Sequence, residues 1–292
     1  VTSAVPSDDL FIYYLAGRVA DPAPLHGPGF LGNWEEDGFS FLFFSAPSDD
    51  RVTAVVRAQP DLSLIDRYIM RYDEWQGDGV VAFGVGELFV APPWSDAATP
   101  PGSRRISLDP GVVFGAGTHP TTRECLAAIQ DVRAVDGRIG RVLDLGTGTG
   151  VLALAAAALG CGPVLAVDLN GLAVETARRN IRANGMGARV LAVQGRAETL
   201  VAAEADLLVA NLHHEVMMAV IAAAGFRRVR WFVLSGLLRS QAREVAESLA
   251  RLSVRLVDQR TEDGVWFTLI AQGPASAASA GASRQRRWVA GF

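Results

Sequence analysis

The chain has 292 residues and a formal charge of −4, with half of its residues hydrophobic and a fifth charged. That length fits one large domain or two ordinary ones, and the composition excludes a wholly disordered chain and argues against a general nucleic-acid coat. Two cysteines (Cys125, Cys161) and four histidines (His26, His119, His213, His214) form neither a Cys-x-x-Cys nor a His-Glu-x-x-His spacing, so no metal site is expected.

Residues 1–10 hold two Asp and no basic residue, so no signal peptide is expected there. The longest strongly apolar run, 151–159, is nine residues, against the ~20 that cross a bilayer. The expectation is a soluble, cytoplasmic protein with no membrane partner. From residue 10 to about 94 the chain is rich in aromatics. Phe11-Ile-Tyr-Tyr-Leu15 and Phe39-Ser-Phe-Leu-Phe-Phe44 read as strands, and Arg51-Val-Thr-Ala-Val-Val-Arg57 as a third. Over 61–76 the apolar Leu62, Ile65, Ile69 and Met70 predict a helix with Asp61 as N-cap. These elements make an α+β module over 1–60 and a linker helix over 61–78. Residues 80–91 read as two short strands around Gly84-Val-Gly86, and the four prolines of 92–102 mark a loop.

Beyond Arg105 strands alternate with helices. The strands fall at 141–145, 164–168, 189–194, 206–211 and 231–235, and the helices at 151–159, 171–184, 215–224 and 238–252. This rhythm predicts βαβ units and a parallel sheet covered on both faces. Residues 254–259 and 265–271 flank Thr-Glu-Asp-Gly, a hairpin signal. The fold class is therefore α/β: a mostly parallel seven-stranded sheet ending in an antiparallel hairpin over 79–273, with a flexible Ala/Ser/Gly-rich tail over 274–292.

Val142-Leu-Asp-Leu-Gly-Thr-Gly-Thr-Gly150 runs an apolar strand through three alternating glycines into a helix, which brings a ligand close to backbone N–H groups. The dinucleotide fingerprint Gly-x-Gly-x-x-Gly/Ala fits poorly, because Val151 stands at its last place. Asp144 two residues before Gly146 and Gly148 instead resembles the S-adenosylmethionine (SAM) loop of Rossmann-like class I methyltransferases. Asp168 closes the next strand, 22 residues after Gly146, where a carboxylate accepts ribose hydroxyls. Asn170 is available to cap the following helix, which leaves Asp168 for a ligand. Asn184-Gly185 reads as a helix-ending pair without function, and Glu198 as a solvated side chain.

Ser107-Leu-Asp-Pro-Gly-Val-Val-Phe-Gly-Ala-Gly-Thr-His-Pro-Thr-Thr122 is a poor structural element and a good binding loop. Thr121-Thr-Arg-Glu124 reads as a capping box that starts a helix over 123–132, with the Thr122 hydroxyl within reach of a ligand. Together with Asp144-Leu-Gly-x-Gly-x-Gly150, Val167-Asp168 and Val209-Ala-Asn-Leu212, this string resembles the ribosomal protein L11 methyltransferase family (PrmA) over roughly 86–273. The resemblance implies a ferredoxin-like N-terminal domain that holds a large-subunit ribosomal protein, SAM contacts at Thr122, Gly146, Asp168 and Asn211, and methylation of lysine ε-amines and the α-amine. Phe114 then packs on the cofactor or on the sheet. Asn211 accepts from the amine, and His119 shapes the methyl pocket, takes a proton or bonds the loop backbone. His213 and His214 read as capping or solvated. No Asn-Pro-Pro-Tyr follows the fourth strand, so no direct nucleic-acid specificity is expected, and a monomer is expected. Two alternatives stay open: an acceptor that is another protein or a small amine, and a SAM-binding ribosome-associated module without turnover.

Overall fold

Burial alternates along Asp9–Ala16 (β1), so Leu10 and Ile12 face one side and Tyr13 and Leu15 serve the other. This computed structural model describes residues 9–76, 80–201 and 203–274. β1 is followed by Phe30–Glu36 (β2), Phe39–Phe44 (β3), the helix Asp49–Ala58 (α1), Ser63–Arg71 (β4) and the short helix Tyr72–Trp75 (α2). The sheet order β2-β3-β1-β4, antiparallel throughout, is that of a ferredoxin-like module. Its first crossover holds a three-residue 3-10 turn, Ala23–Leu25, where that module has a helix.

Two expectations are overturned here. Residues 51–57 are helical, because Val52 and Val55 bury one face against Tyr13, Leu15, Leu42 and Phe44, and Asp49 and Asp50 favour a helix N-terminus. The linker helix over 61–78 is absent as such. Residues 63–71 instead pair along β1 as an edge strand, and among the described residues of that span helix is found only at Tyr72–Trp75. The apolar residues that suggested a helix, Ile65 and Ile69, lie exposed. The N-terminal module thus runs past residue 60 to include β4.

Phe83–Val85 (β5), Leu88–Ala91 (β6) and Arg104–Ser107 (β7) form a small sheet, of which β7 escaped the sequence reading. The catalytic-type domain then runs Pro120–Val135 (α3), Val142–Leu145 (β8), Val151–Ala158 (α4), Val164–Asp168 (β9), Gly171–Ala183 (α5), Val190–Gln194 (β10), Ala197–Leu200 (α6), Leu207–Asn211 (β11), His214–Ala222 (α7), Trp231–Leu238 (β12), Arg239–Arg251 (α8), Arg255–Arg260 (β13) and Trp266–Gln272 (β14). The sheet order is β10-β9-β8-β11-β12-β14-β13, with β14 alone running antiparallel to the rest, between β12 and β13. Helices α3, α4 and α5 cover one face and α7 and α8 the other, as two separate apolar cores. The tail expected from 274 lies outside the described residues except for Pro274 itself.

The free face of the N-terminal sheet packs onto this domain. Leu10, Ile12 and Phe43 meet Val112, Val113, Leu172 and Ala173 in one cluster. Gly32 lets β2 approach α5: its φ is +153°, and a Cβ there would lie 2.4 Å from Leu172 Cδ1. Asn170 Nδ2 also donates to Glu35 O at 3.3 Å.

Candidate active site

Between β8 and β11 the chain order of the sheet reverses, and ligands gather at the strand C-termini of such a switch point. A cavity of about 720 Å³ opens there. Its floor is the 146–152 loop and helix start, Asp168 and Asn211. Its roof comes from the N-terminal sheet, with Ile12, Trp34, Phe41, Phe43, Tyr68 and Met70. The roof went unnoticed in the sequence, although Phe41 and Phe43 stand at the i, i+2 spacing that puts side chains on one strand face.

Gly146 and Gly148 have φ of +72° and +55°. A Cβ on Gly148 would come within 2.7 Å of Phe114 O, and one on Gly146 within 2.3 Å of Leu212 Cδ2, so the turn admits no side chain at either place. Behind the turn, α4 begins without a side-chain cap, and Val151 and Leu152 line the cavity. The N–H groups of Val151 and Leu152 and the positive end of the helix dipole therefore lie at the cavity, while the Ala153 N–H turns to Asp144.

Asp168 lies at the end of β9, in the cavity wall. Its Oδ2 accepts from Gly148 N and its Oδ1 from Asn170 N, each at 2.9 Å. Burial pushes this carboxyl above its ordinary range, while those N–H groups pull it back. Each oxygen retains a lone pair for a hydroxyl donor. Asn170 caps α5 through Leu172 N at 2.9 Å, as anticipated, so Asp168 is not consumed as a cap.

Asp144 corrects the expectation. It is fully buried behind the loop and does not line the cavity. Its Oδ2 accepts from Thr147 Oγ1 at 2.6 Å, while Oδ1 is buried without a hydrogen-bond partner. Burial pushes its pKa up to about 7, against the Thr147 hydroxyl and the Ala153 backbone N–H, which both favour the charged form. It shapes the loop from beneath, outside the cavity lining.

The 107–118 segment is held from two sides. On α5, Asn180 donates to Asp109 O and Thr149 O, both at 2.9 Å, and accepts from Asp109 N at 3.0 Å. Asn184 bonds Ser107 N and Ser107 O, so it is more than a helix end. The Asn pair spaced i, i+4 was the available signal. From the N-terminal module, Tyr72 Oη and Gln76 Nε2 donate to Gly111 O at 2.8 and 2.5 Å, and Trp75 Nε1 donates to Val112 O at 3.1 Å. Thr149 Oγ1 ties the two glycine loops by donating to Gly115 O at 2.7 Å.

Helix α3 starts at Pro120, earlier than expected, because His119 and not Thr121 is its N-cap. His119 Nδ1 accepts from Thr121 N at 3.3 Å and lies 2.7 Å from Thr121 Oγ1. Thr121 and Thr122 both sit in the first helical turn and line the cavity. Asn211 Nδ2 donates to Thr121 Oγ1 at 3.1 Å. Phe114 is 62 % exposed at the cavity mouth, so it does not pack on the sheet. Its ring meets His119 edge-on at 5.7 Å, and Trp266 also meets His119 edge-on, at 5.4 Å. Trp266 and His213 also line the cavity, and neither was anticipated there. His213 takes the N-cap position of α7 without capping through its side chain, and His214 turns away to Glu244 at 3.1 Å. Glu198 pairs with Arg196 outside the cavity.

Counted along the chain, the large sheet has strand order 3-2-1-4-5-7-6 with the last strand reversed. A glycine turn follows its first strand and an acid ends its second, which is the Rossmann-like architecture of class I methyltransferases. Residues 78–274 match the sequence profile of ribosomal protein L11 methyltransferase (PrmA), and the chain belongs to that family. It is 38 % identical over 189 residues to the ribosomal protein L11 methyltransferase of Exiguobacterium sp., covering 64 % of this chain and 59 % of that protein. It is 30 % identical over 288 residues to that of Desulfitobacterium hafniense, covering 87 % and 88 %. The crystal structure of ribosomal protein L11 methylase from Lactobacillus delbrueckii subsp. bulgaricus superposes with a TM-score of 0.58 at 26 % identity, covering 66 % of this chain and 98 % of that one. The first several curated relatives are matched over about three fifths of their length. Among the described residues no helix is long and apolar enough to cross a membrane.

Proposed function

We propose that this chain is a SAM-dependent protein methyltransferase, acting in the cytoplasm on lysine ε-amines, and on the α-amine, of the large-subunit ribosomal protein L11. One observation carries the reading: Asp168, the open start of α4 and Asn211 converge on one cavity roofed by the N-terminal ferredoxin-like sheet. The donor set suits SAM. Asp168 has acceptor capacity left for two ribose hydroxyls, the α4 N–H groups suit a carboxylate, and the glycine turn admits close approach. When bound, SAM supplies an electrophilic methyl group on a sulfonium, and the protein supplies alignment.

An acceptor lysine has a pKa of ~10.4, so neutralising it at pH 7 costs about 5 kcal/mol. Alignment returns roughly 7–11 kcal/mol, so no strong base is required. Asn211 orients the amine through its carboxamide oxygen, the aromatic roof excludes water, and the amine proton leaves to solvent. His119 is poorly suited as the base, since its Nδ1 is engaged by Thr121.

The test is to incubate the protein with SAM and ribosomal protein L11 of the same organism and read intact masses. All 27 basic side chains of the chain are Arg, so no ε-amine of its own competes for methyl groups. Gains in methyl steps on the acceptor, abolished by Asn211→Ala, support the reading. SAM binding without methylated L11 moves the search to another protein or a small amine.

A further inference from the structure

We infer that Thr121 is a positioning residue that fixes which end of the Asn211 carboxamide faces the acceptor amine. The inference rests on the methyltransferase reading above. His119 Nδ1 accepts the Thr121 backbone N–H at 3.3 Å, so that ring nitrogen is bare and the ring proton is on Nε2. Thr121 Oγ1 lies 2.7 Å from the same Nδ1. Between a bare nitrogen and a hydroxyl, the hydroxyl donates. The single proton of Thr121 Oγ1 is thereby spent on His119, and toward Asn211 the oxygen is an acceptor only.

Asn211 Nδ2 donates to it at 3.1 Å. A flipped carboxamide would face Oδ1 against an oxygen with no proton to give, and two acceptors at that distance repel. Oδ1 is therefore held on the opposite side, beside Gly236. A Cβ at Gly236 would lie 2.9 Å from Asn211 Oδ1 and 2.7 Å from Leu212 O. Gly236 has a φ of +83°, sits where the β12–β14 register shifts, and lines the cavity. The bulge thus leaves the space in which Oδ1 meets a donor from the cavity side. An amine presented there offers its N–H to Oδ1 and keeps its lone pair for the methyl group. A reversed carboxamide would present N–H groups, compete for that lone pair and block reaction.

The chain of contacts also assigns the His119 imidazole. Neutral His119 offers the cavity only a donor, Nε2–H, so its part is to hold the Thr121 proton. Edge-on contacts with the Phe114 and Trp266 rings help to keep it in that orientation.

The experiment compares Thr121→Val, which keeps shape and loses the hydroxyl, with Thr121→Ser, which keeps the hydroxyl. The first readout needs no turnover. In ¹⁵N spectra of the protein with S-adenosylhomocysteine, the Asn211 side-chain amide pair is identified by its absence in Asn211→Ala. Its slower-exchanging proton should exchange about 10-fold faster in Thr121→Val and recover in Thr121→Ser. In turnover with L11, Thr121→Val should lower kcat about 10- to 100-fold, with the Kd for S-adenosylhomocysteine and the Tm close to wild type, and Thr121→Ser should restore it. Unchanged exchange in Thr121→Val, or a loss confined to cofactor affinity, overturns the assignment. A wild-type protein without turnover on L11 defeats the proposed acceptor, and the exchange measurement still decides the carboxamide.

Discussion

Replacing Asp144 by Asn tests whether a buried carboxyl under the glycine loop is held against its own charge. Asp144 is fully buried, with Oδ2 on Thr147 and Oδ1 unpartnered. Its pKa is raised from 3.8 to about 7, a gap of about three pH units, which corresponds to an upper bound of about 4 kcal/mol. Between those two pKa values the folded protein holds a proton that the unfolded chain has released. Stability from this group is therefore fully present below pH 4, falls as pH rises toward 7, and is flat above. Asparagine stays neutral at every pH: its Oδ1 takes the Thr147 bond, and its Nδ2 replaces the second oxygen at the cost of facing the Ala153 N–H, a cost that does not change with pH. Urea unfolding of both proteins at half-unit steps from pH 4.5 to 8.5 should show the variant gaining on wild type as pH rises, by about 1–4 kcal/mol between the two ends of that range. Titrations common to both proteins cancel in that difference. A pH-independent difference, or a variant that loses ground to wild type as pH rises, refutes the reasoning. Because Asp144 does not line the cavity, the same variant should bind S-adenosylhomocysteine within about 10-fold of wild type by calorimetry.

Asp168→Asn should weaken S-adenosylhomocysteine binding about 10- to 100-fold, because it loses charge-assisted acceptor capacity while the Gly148 and Asn170 N–H groups still need partners; a calorimetric titration decides it. Gly148→Ala should cost about 1–3 kcal/mol, since φ is +55° and the added Cβ meets Phe114 O at 2.7 Å; denaturant midpoints measure it. Burial lowers the pKa of His119, against a weaker pull from Asp263, so its contribution is fully present above the ordinary histidine value and is lost as pH falls through the depressed one. His119→Asn keeps a cap acceptor at all pH values, and its Tm relative to wild type should rise on acidification. Tyr72→Phe with Trp75→Phe should leave the fold intact and speed amide hydrogen exchange in 109–118, because three of the bonds that pin this loop come from α2 and Gln76.

The placement of the N-terminal module changes how the cavity is closed. Phe41, Phe43 and Met70 reach the cavity from a sheet that shares no strand with the floor. The same module holds Gly111 and Val112 of the glycine-rich loop. Anything that moves β4 and α2 therefore acts on both the roof and the rim. An acceptor docked on this module is in mechanical contact with the loop that carries Phe114.

What the sequence determined by itself is the part governed by local chemistry. The βα alternation, the turn 146–150 and the hairpin before β14 are written in period, glycine and turn residues within short windows. Asn170 as the cap of α5, leaving Asp168 to the cavity, is decided by two residues and one helix end. The tertiary structure decided whatever depends on a partner distant in the chain. Residues 51–57 carry β-branched side chains that fit a strand, and they become α1 because the sheet offers a groove for Val52 and Val55. Residues 63–71 have helical spacing, and they become β4 because β1 offers a ladder of backbone partners. Asp144 was identified as an acid before glycines, but its removal from the cavity follows from the packing of α4 over β8. The Thr121–Asn211 bond spans 90 residues, and the roof joins strands from the chain's first quarter to loops near its middle. Windowed patterns carry no information about such pairs, because the free energy that selects them is gained only when both partners are in place.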